Sequence, residues 1–296
     1  MGNRRLPLTK TIVVTGASSG IGKACALQLD KLGLRVFAGV RREKDGDALR
    51  REASARLTPI LLDITDAASI TSAVDIVTTA IGETGETGLA GIINNAGIAV
   101  AGPLEFLPVS EFRKQLEVNV IGQIAVTQAF LPLLRRGQGR IINIGSLGGR
   151  IAMPFIGPYN AAKFAMEALT DALRMELRPW HIHVSIIEPG FIATPIWEKS
   201  NEAAGTIFNN LPPQADHLYS TITPAVREAY SRVGRTGTPV EEVAKVILQA
   251  LTAARPKTRY LVGRGARLGT GILQRLPDRL RDALITWWLT KGAGLM

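Results

Sequence analysis

Thr11-Ile-Val-Val-Thr-Gly-Ala-Ser-Ser-Gly-Ile-Gly22 is the stretch on which the reading of this chain turns. Its opening run is β-branched, apolar and too short for a helix, which suits a buried strand. Gly16, Gly20 and Gly22 follow at once in the spacing G-x-x-x-G-x-G, and a helical pattern then runs from Lys23 to Leu32. Strand, glycine turn and helix in that order bring bare backbone and a helix N-terminus together, where the charge of a pyrophosphate is stabilised. The spacing is not the commoner G-x-G-x-x-G, and an ordinary glycine turn is the competing reading.

Working outward, the next strand is Leu34 to Val40, ending in Arg41-Arg42. In a dinucleotide fold this strand end meets the adenosine ribose, where an acid would bond the two hydroxyls and an arginine would pair with a 2′-phosphate. No acid appears before Glu43, so the sequence favours NADP(H) over NAD(H), surface arginines being the alternative. A helix is expected over Asp47 to Ala55, a strand over Thr58 to Asp63 with Asp63-Ile64 facing an adenine, and a helix over Ala67 to Ile81. Strand four, Leu89 to Asn94, ends in Asn94-Asn-Ala-Gly97. Alternation at this spacing argues for a parallel, doubly wound sheet.

A long helix follows, with Ser110 as its expected N-cap and Asn119 as an unexplained amide among apolar residues. Arg140 to Gly145 is a fifth strand, and Ser146 stands at its end. Tyr159 and Lys163 are four apart at the start of a helix running to about Pro179, hence on one face with Cβ atoms roughly 5–6 Å apart. Strand six is Ile182 to Glu188, with His181 and His183 at its start, away from the ends where ligands bind. After Pro189 to Thr194 the pattern degrades until a helix over Pro239 to Ala253 and a last strand at Tyr260 to Gly263. The expected architecture is α/β: a single doubly wound Rossmann-type domain over residues 1–296, about seven parallel strands with helices on both faces. Residues 191–238 read as a substrate-binding lid insertion and 264–296 as a basic amphipathic C-terminal extension.

Composition narrows the classes. Hydrophobic residues make up 46%, which gives a sizeable core. One cysteine, Cys25, on an apolar helix face, excludes a disulfide framework, and three histidines without ligand spacing make metal binding an unexpected function. Met1 to Pro7 shows no leader pattern and no window approaches a membrane span, so a cytoplasmic protein is expected. Arg255 to Met296 holds nine Lys/Arg against two Asp/Glu, most of the chain's net charge of +10. Arg275 to Leu295 mixes arginines with Leu276, Leu280, Leu284, Trp287 and Trp288 near helical period. Such a helix suits peripheral contact with an anionic membrane, a cover over the site, or packing on a sister subunit. The basic residues lie on no recognition helix or aromatic platform, so no nucleic-acid partner is expected.

Thr15 to Gly22, Asp63, Asn94 to Gly97, Asn119, Ser146, Tyr159-x-x-x-Lys163 and Pro189-Gly-x-x-x-Thr194 together resemble the short-chain dehydrogenase/reductase family, over roughly Thr9 to Val262. The segments Arg255 to Tyr260, Leu276 to Leu280 and Ile285 to Trp288 look like its retinol and hydroxysteroid dehydrogenase branch, whose members act on bulky apolar alcohols and ketones, often at membranes. The absence of an expected N-terminal span departs from many of those members. The resemblance implies that Tyr159 is the general acid/base, that Lys163 lowers its pKa and bonds the nicotinamide ribose, that Ser146 holds the substrate oxygen and that Asn119 orders a water. It assigns the pyrophosphate to Gly16, Ser18, Ser19, Gly20, Ile21 and Gly22, and the adenosine half to Arg41, Asp63, Ile64, Asn95, Ala96 and Gly97. Pro189, Gly190, Ile192 and Thr194 fall at the nicotinamide, Thr194 on its carboxamide. Ile98, Leu147, Phe155 and Trp197, with Ser146 and Tyr159, are expected to line the substrate cavity. The implied function is hydride transfer between NADP(H) and a hydrophobic alcohol, ketone or aldehyde, steroid- or retinoid-like, in a homodimer or homotetramer. Alternatives are a carbonyl or 3-oxoacyl-type reductase of smaller substrates and a non-catalytic NADPH sensor.

Overall fold

The computed structural model describes residues 10–209, 212–263 and 271–290. Among them, seven strands form one parallel sheet in the order β3-β2-β1-β4-β5-β6-β7. The strands are β1 (Thr11–Val14), β2 (Arg35–Val40), β3 (Leu57–Leu61), β4 (Gly91–Asn94), β5 (Arg140–Ile144), β6 (His183–Pro189) and β7 (Arg259–Val262). The order reverses between β1 and β4, and such a switch point opens a crevice at the carboxyl ends of the strands.

Both faces are covered, and the strands say why. Side chains alternate along a strand, so Ile12 and Val14 of β1 enter one core while Val13 enters the other. The first core also takes Cys25 and Leu29 of α1 (Gly20–Lys31), Leu49 of α2 (Glu43–Arg50) and Val243 and Ile247 of α10 (Val240–Thr252). The second takes Ile70 and Val77 of α3 (Ala67–Glu83) and Val126, Phe130 and Leu134 of α5 (Gly122–Gly137). Each wholly buried aromatic or aliphatic side chain here contributes about 1.5–3 kcal/mol. Burial pushes the Cys25 thiol pKa upward, as expected of an inert core residue.

Several boundaries differ from the sequence expectation: α2 ends at Arg50 rather than Ala55, β4 begins at Gly91 rather than Leu89, and two helix starts shift. Helix α2 begins at Glu43 rather than Asp47, because Glu43 and Asp45 occupy its first turn, where acids favour the helix N-terminus, and Arg42 pairs with Asp45 at 2.8 Å. Helix α4 (Val109–Leu116) begins before Ser110, with Pro108 at its N-cap. It continues through a π-helical turn, Glu117–Ile121, into α5. The continuous run Val109–Gly137 is long and apolar enough, by length and composition, to cross a membrane. In the fold its apolar stripe is the one that covers the sheet.

Beyond β6, helices α7 (Ile196–Asn209), α8 (Pro213–Tyr219) and α9 (Thr223–Thr236) stand over the carboxyl end of the sheet. Of these, α7 and α9 share a third core with Tyr159 and with Ile285 and Leu289 of α11 (Asp278–Thr290). The extension's expected helix is therefore seated on its own chain: Trp288 stacks on Phe191 at 4.9 Å, while Leu280, Leu284 and Trp287 face outward. Residues 264–270 and 291–296 of that extension lie outside the described residues.

Candidate functional site

The turn after β1 is held open from below. Thr15 Oγ1 accepts the amides of Asn95 and Ala96 at 2.9 and 3.0 Å, and Asn95 Nδ2 donates to the carbonyls of Thr15 and Gly16 at 3.0 Å each. The end of β4 thus fixes the glycine turn. Gly16 has φ +64°, and a Cβ there would lie 2.7 Å from Ala96 Cα, so only glycine keeps this backbone in place. Gly22, expected at the pyrophosphate, does not line the cleft. Its missing Cβ lets α1 pack on Asn95 Nδ2 and the Gly16 carbonyl.

A cleft of about 360 Å³ runs along the strand ends from this turn. Arg41, Arg42, Asp45, Asp63, Ile64 and Thr65 wall one end. Arg42 is engaged by Asp45, whereas Arg41 has no ion-pair partner within 4.0 Å among the described residues. Burial opposes ionisation of Asp63, but the hydroxyl and amide of Thr65, at 2.7 and 2.9 Å, together with the charge of Arg41, outweigh it and hold the carboxyl below its usual range. Gly122 on α5 brings the helix against the Ile64 backbone, since a Cβ there would stand 2.6 Å from the Ile64 carbonyl oxygen.

Ser146, Tyr159 and Lys163 meet in the middle of the cleft. Pro158 near the start of α6 (Gly157–Glu176) presets helical φ where no N–H is needed, and α6 presents Tyr159 and Lys163 on one face. Asn160, which no sequence pattern marks, ties down the loop between them and Ser146. Its Nδ2 donates to the Gly148 carbonyl at 2.9 Å and its Oδ1 accepts the Met153 amide at 3.0 Å. Lys163 Nζ donates to the Ile144 carbonyl at 2.7 Å and lies 5.7 Å from the Tyr159 ring centre. Burial brings its pKa down to about 8, partly offset by the charge of Glu167. The phenol of Tyr159 does not follow the expectation of a lowered pKa. Burial pushes it up and dominates, and a hydrogen bond with Ser146 draws it only part of the way back. The expectation weighed the ammonium without the desolvation of the phenolate.

Asn119 finds its reason in the fold. Its Oδ1 accepts the Ile98 amide and its Nδ2 donates to the Ile98 carbonyl, both at 2.9 Å. One turn to either side, Gln115 holds Val100 N and Ile98 O at 2.7 and 3.0 Å, and Gln123 donates to Ala96 O at 2.6 Å. Three buried amides at helical spacing therefore grip the segment Ala96 to Val100 that lines the cleft. Gln115 and Gln123 are not among the residues expected from sequence, although polar residues at i−4 and i+4 of Asn119 are a readable signal.

At the other end stand Pro189, Gly190, Ile192, Thr194, Ile196 and Trp197. Trp197 stacks on Tyr230 at 5.3 Å and meets the Tyr159 ring edgewise at 6.2 Å. Two expected substrate-wall residues lie elsewhere. Leu147 heads the short 3₁₀ turn Leu147–Gly149 and does not border the cleft. Phe155, at φ +65°, borders a smaller neighbouring cavity with Ala101 and Tyr230 and packs edgewise on Tyr219. Their positions depend on the path of a loop that has no sequence period. Among the described residues, no group of three His, Cys, Asp or Glu side chains is arranged to hold a metal ion.

A parallel sheet whose switch point adjoins a glycine turn, with a Tyr/Lys pair beyond it, is the framework of an oxidoreductase. The family described as short chain dehydrogenase matches residues 10–205, and the chain belongs to it. Among curated relatives, retinol dehydrogenase 5 of Mus musculus is 39% identical over 95% of this chain and 89% of its own length. The 17-beta-hydroxysteroid dehydrogenase type 6 of Bos taurus is 37% identical over 94% and 88%. A Burkholderia phymatum short chain dehydrogenase/reductase in complex with NAD superimposes with TM-score 0.75 at 26% identity, over 92% of this chain and 94% of that one. A Burkholderia cenocepacia short chain dehydrogenase in complex with NADP does so with TM-score 0.69 at 26% identity, over 96% and 100%.

Proposed function

We propose that this protein transfers hydride between NADP(H) and a hydrophobic alcohol, ketone or aldehyde of steroid- or retinoid-like bulk. The convergence of Ser146, Tyr159 and Lys163 on one cleft, beside the apolar wall of Ile98, Ile196 and Trp197, carries this reading. The names of the retinol and hydroxysteroid dehydrogenase relatives support the substrate class.

The residues suit the cofactor. The bare backbone of Gly16, with Ser18, Ser19, Gly20 and Ile21 at the N-terminus of α1, would take the pyrophosphate. Asp63, Ile64 and the segment Asn95 to Gly97 would hold the adenosine half, and Pro189 to Thr194 the nicotinamide. Arg41, at the adenosine end and without an ion-pair partner within 4.0 Å among the described residues, favours a 2′-phosphate. Solved neighbours carry NADP in one case and NAD in another, and the preference proposed here rests on Arg41. When bound, the nicotinamide supplies or accepts the hydride.

The chain's own groups handle the proton. Ser146 holds the substrate oxygen beside Tyr159, which takes the alcohol proton in oxidation and returns it in reduction. Because burial raises the phenol, Tyr159 keeps its proton at neutral pH and is poised as the acid of the reductive direction. Lys163, as ammonium, stabilises the phenolate that is left. Asn119 and Gln115 hold the wall that the substrate meets. Helices α7 to α9 act as a lid that keeps water from this centre.

Fluorescence titration with NADPH and NADH, followed by ketones and aldehydes of increasing bulk, tests the reading. Tyr159→Phe is expected to bind NADPH nearly as wild type and to lose turnover by at least a hundredfold, in line with the loss of a general acid. Wild-type turnover by that variant, or a preference for the smallest ketones, refutes it.

A further inference from the structure

Behind the catalytic edge lies a cluster of charge that the proton transfer does not use. Glu167 stands one helical turn beyond Lys163 on α6, and Glu188, wholly buried, precedes Pro189 at the end of β6. Both carboxylates reach the same guanidinium nitrogen: Arg259 Nε on β7 is 3.1 Å from Glu167 Oε2 and 3.5 Å from Glu188 Oε1. Arg150, in the loop between Ser146 and Tyr159, grips Glu188 Oε1 through Nε at 2.9 Å and Nη2 at 2.7 Å. Arg259 Nη2 is turned away to Asp171 at 2.6 Å, and Asp171 also holds Arg174 at 2.9 Å. The remaining oxygens, Glu167 Oε1 and Glu188 Oε2, are buried and meet no donor, and the two carboxyl groups lie within hydrogen-bond reach of each other.

Two carboxylates in this position would leave two buried acceptors without a donor, an arrangement that one proton held between the pair resolves. Glu188 Oε1 is gripped by two arginines, whereas Glu167 meets one, so Glu167 is the member that carries the proton. Burial and the charge of Glu188 push its pKa up to about 7, against the pull of Arg259 and Arg150. The groups facing the pair are thus Lys163, Asp171 and Arg174 from α6, Arg150 from the loop and Arg259 from β7. The cluster also joins three parts of the site: the loop that carries Ser146, the helix that carries Tyr159 and Lys163, and the strand that leads into Pro189. Gly149 seals the contact, since a Cβ there would meet the Lys163 carbonyl at 2.8 Å and Glu167 Cγ at 3.3 Å.

We propose that Glu167 is a positioning residue of the hydride-transfer reaction: with Glu188 it stores one proton behind Lys163, and on losing that proton it becomes the charge that keeps Lys163 an ammonium. As the medium turns alkaline the O–H bond of the Glu167 carboxyl breaks, the proton leaves to solvent, and the carboxylate stays beside Lys163, which retains its own proton. The ammonium needed by Tyr159 is thereby maintained at pH values where a buried lysine alone would be neutral. This inference rests on the role given to Lys163 above.

The test has two arms. In the first, infrared difference spectra of the cofactor-free chain are taken between about pH 6 and about pH 9, either side of the titration. Wild type is expected to show a protonated-carboxyl C=O band at the lower pH that vanishes at the higher, and Glu167→Gln to lack it. No such band in wild type overturns the proposal. Glu188→Gln, which removes the neighbouring charge, supplies a second variant, with the band expected to vanish at lower pH; an unchanged titration overturns the shared proton. In the second arm, kcat is followed against pH with NADP(H) and an active substrate. Glu167→Gln is expected to move the alkaline limb to lower pH by about one unit, a tenfold loss above it, with KM changed less than kcat. A profile parallel to wild type, lowered uniformly, overturns the positioning role. A wild type that shows the band but turns over nothing refutes the hydride-transfer reading, and the positioning role with it, while the shared proton stands.

Discussion

Asn119→Ala offers a quantitative check on how the cleft wall is built. The substitution removes two 2.9 Å hydrogen bonds to the Ile98 backbone. The Ile98 amide is then left with no acceptor, which costs about 1–3 kcal/mol. The Ile98 carbonyl still accepts from Gln115 at 3.0 Å, so its loss is smaller, about 0.5–1.5 kcal/mol. The unfolding free energy from urea melts followed by circular dichroism should fall by about 1.5–4.5 kcal/mol in total. Gln115→Ala should cost a similar amount, since it orphans Val100 N and weakens the same carbonyl. In the double variant the Ile98 carbonyl has neither donor, so the loss should exceed the sum of the single losses by about 1 kcal/mol. A cost below about 0.5 kcal/mol for Asn119→Ala, typical of an uninvolved surface position, would refute the clamp. Strict additivity would refute the shared carbonyl.

Three further expectations are open to measurement. Arg41→Ala should weaken NADPH binding by about tenfold or more, the value of a charge-assisted phosphate contact, and leave NADH binding unchanged; equal loss for both would remove Arg41 from the 2′-phosphate. Gly16→Ala places a methyl 2.7 Å from Ala96 Cα at φ +64°, so nucleotide titration should show binding lost while the circular dichroism spectrum persists. For Lys163, the folded pKa of about 8 lies below the ordinary 10.5. Between those values the unfolded chain binds a proton that the folded chain does not, so unfolding free energy rises with pH across that window. Relative to wild type, Lys163→Met should lack that rise in urea melts repeated along the pH axis.

Elements marked by a short pattern are legible in the amino-acid order alone. Gly16, Gly20, Tyr159 and Lys163 have spacings that encode their meeting, and strands of Val and Ile bounded by turns announce a buried parallel sheet. What escapes the sequence depends on distance. Gln115 and Gln123 look like ordinary helix amides until the backbone from Ala96 to Val100 is laid against them. Leu147 and Phe155 sit on a loop whose course Asn160 sets through two backbone bonds, and no periodicity reports such a course. The phenol of Tyr159 departs from expectation because a neighbouring charge can be inferred from spacing, whereas burial cannot. Glu167 and Glu188 are separated by 21 positions and by a change from helix to strand, so only the fold makes them a pair.

The third core, shared by helices α7, α9 and α11, has a consequence for how such a protein changes over time. Its residues are distinct from the two clusters that cover the sheet, and of Ser146, Tyr159 and Lys163 it takes in Tyr159. Substitutions at Trp197, Val226, Tyr230 or Ile285 repack a cluster that shares no member with the two that cover the sheet. On the function proposed above, the substrate pocket can change there without altering the packing of the sheet's two faces. The same arrangement sets the boundary of that freedom, because Trp197 rests against the Tyr159 ring. A change that tilts the indole tilts the Tyr159 ring, the acid of the proposed reaction, and adaptation of the pocket must then proceed through variants that leave that edge contact where it is.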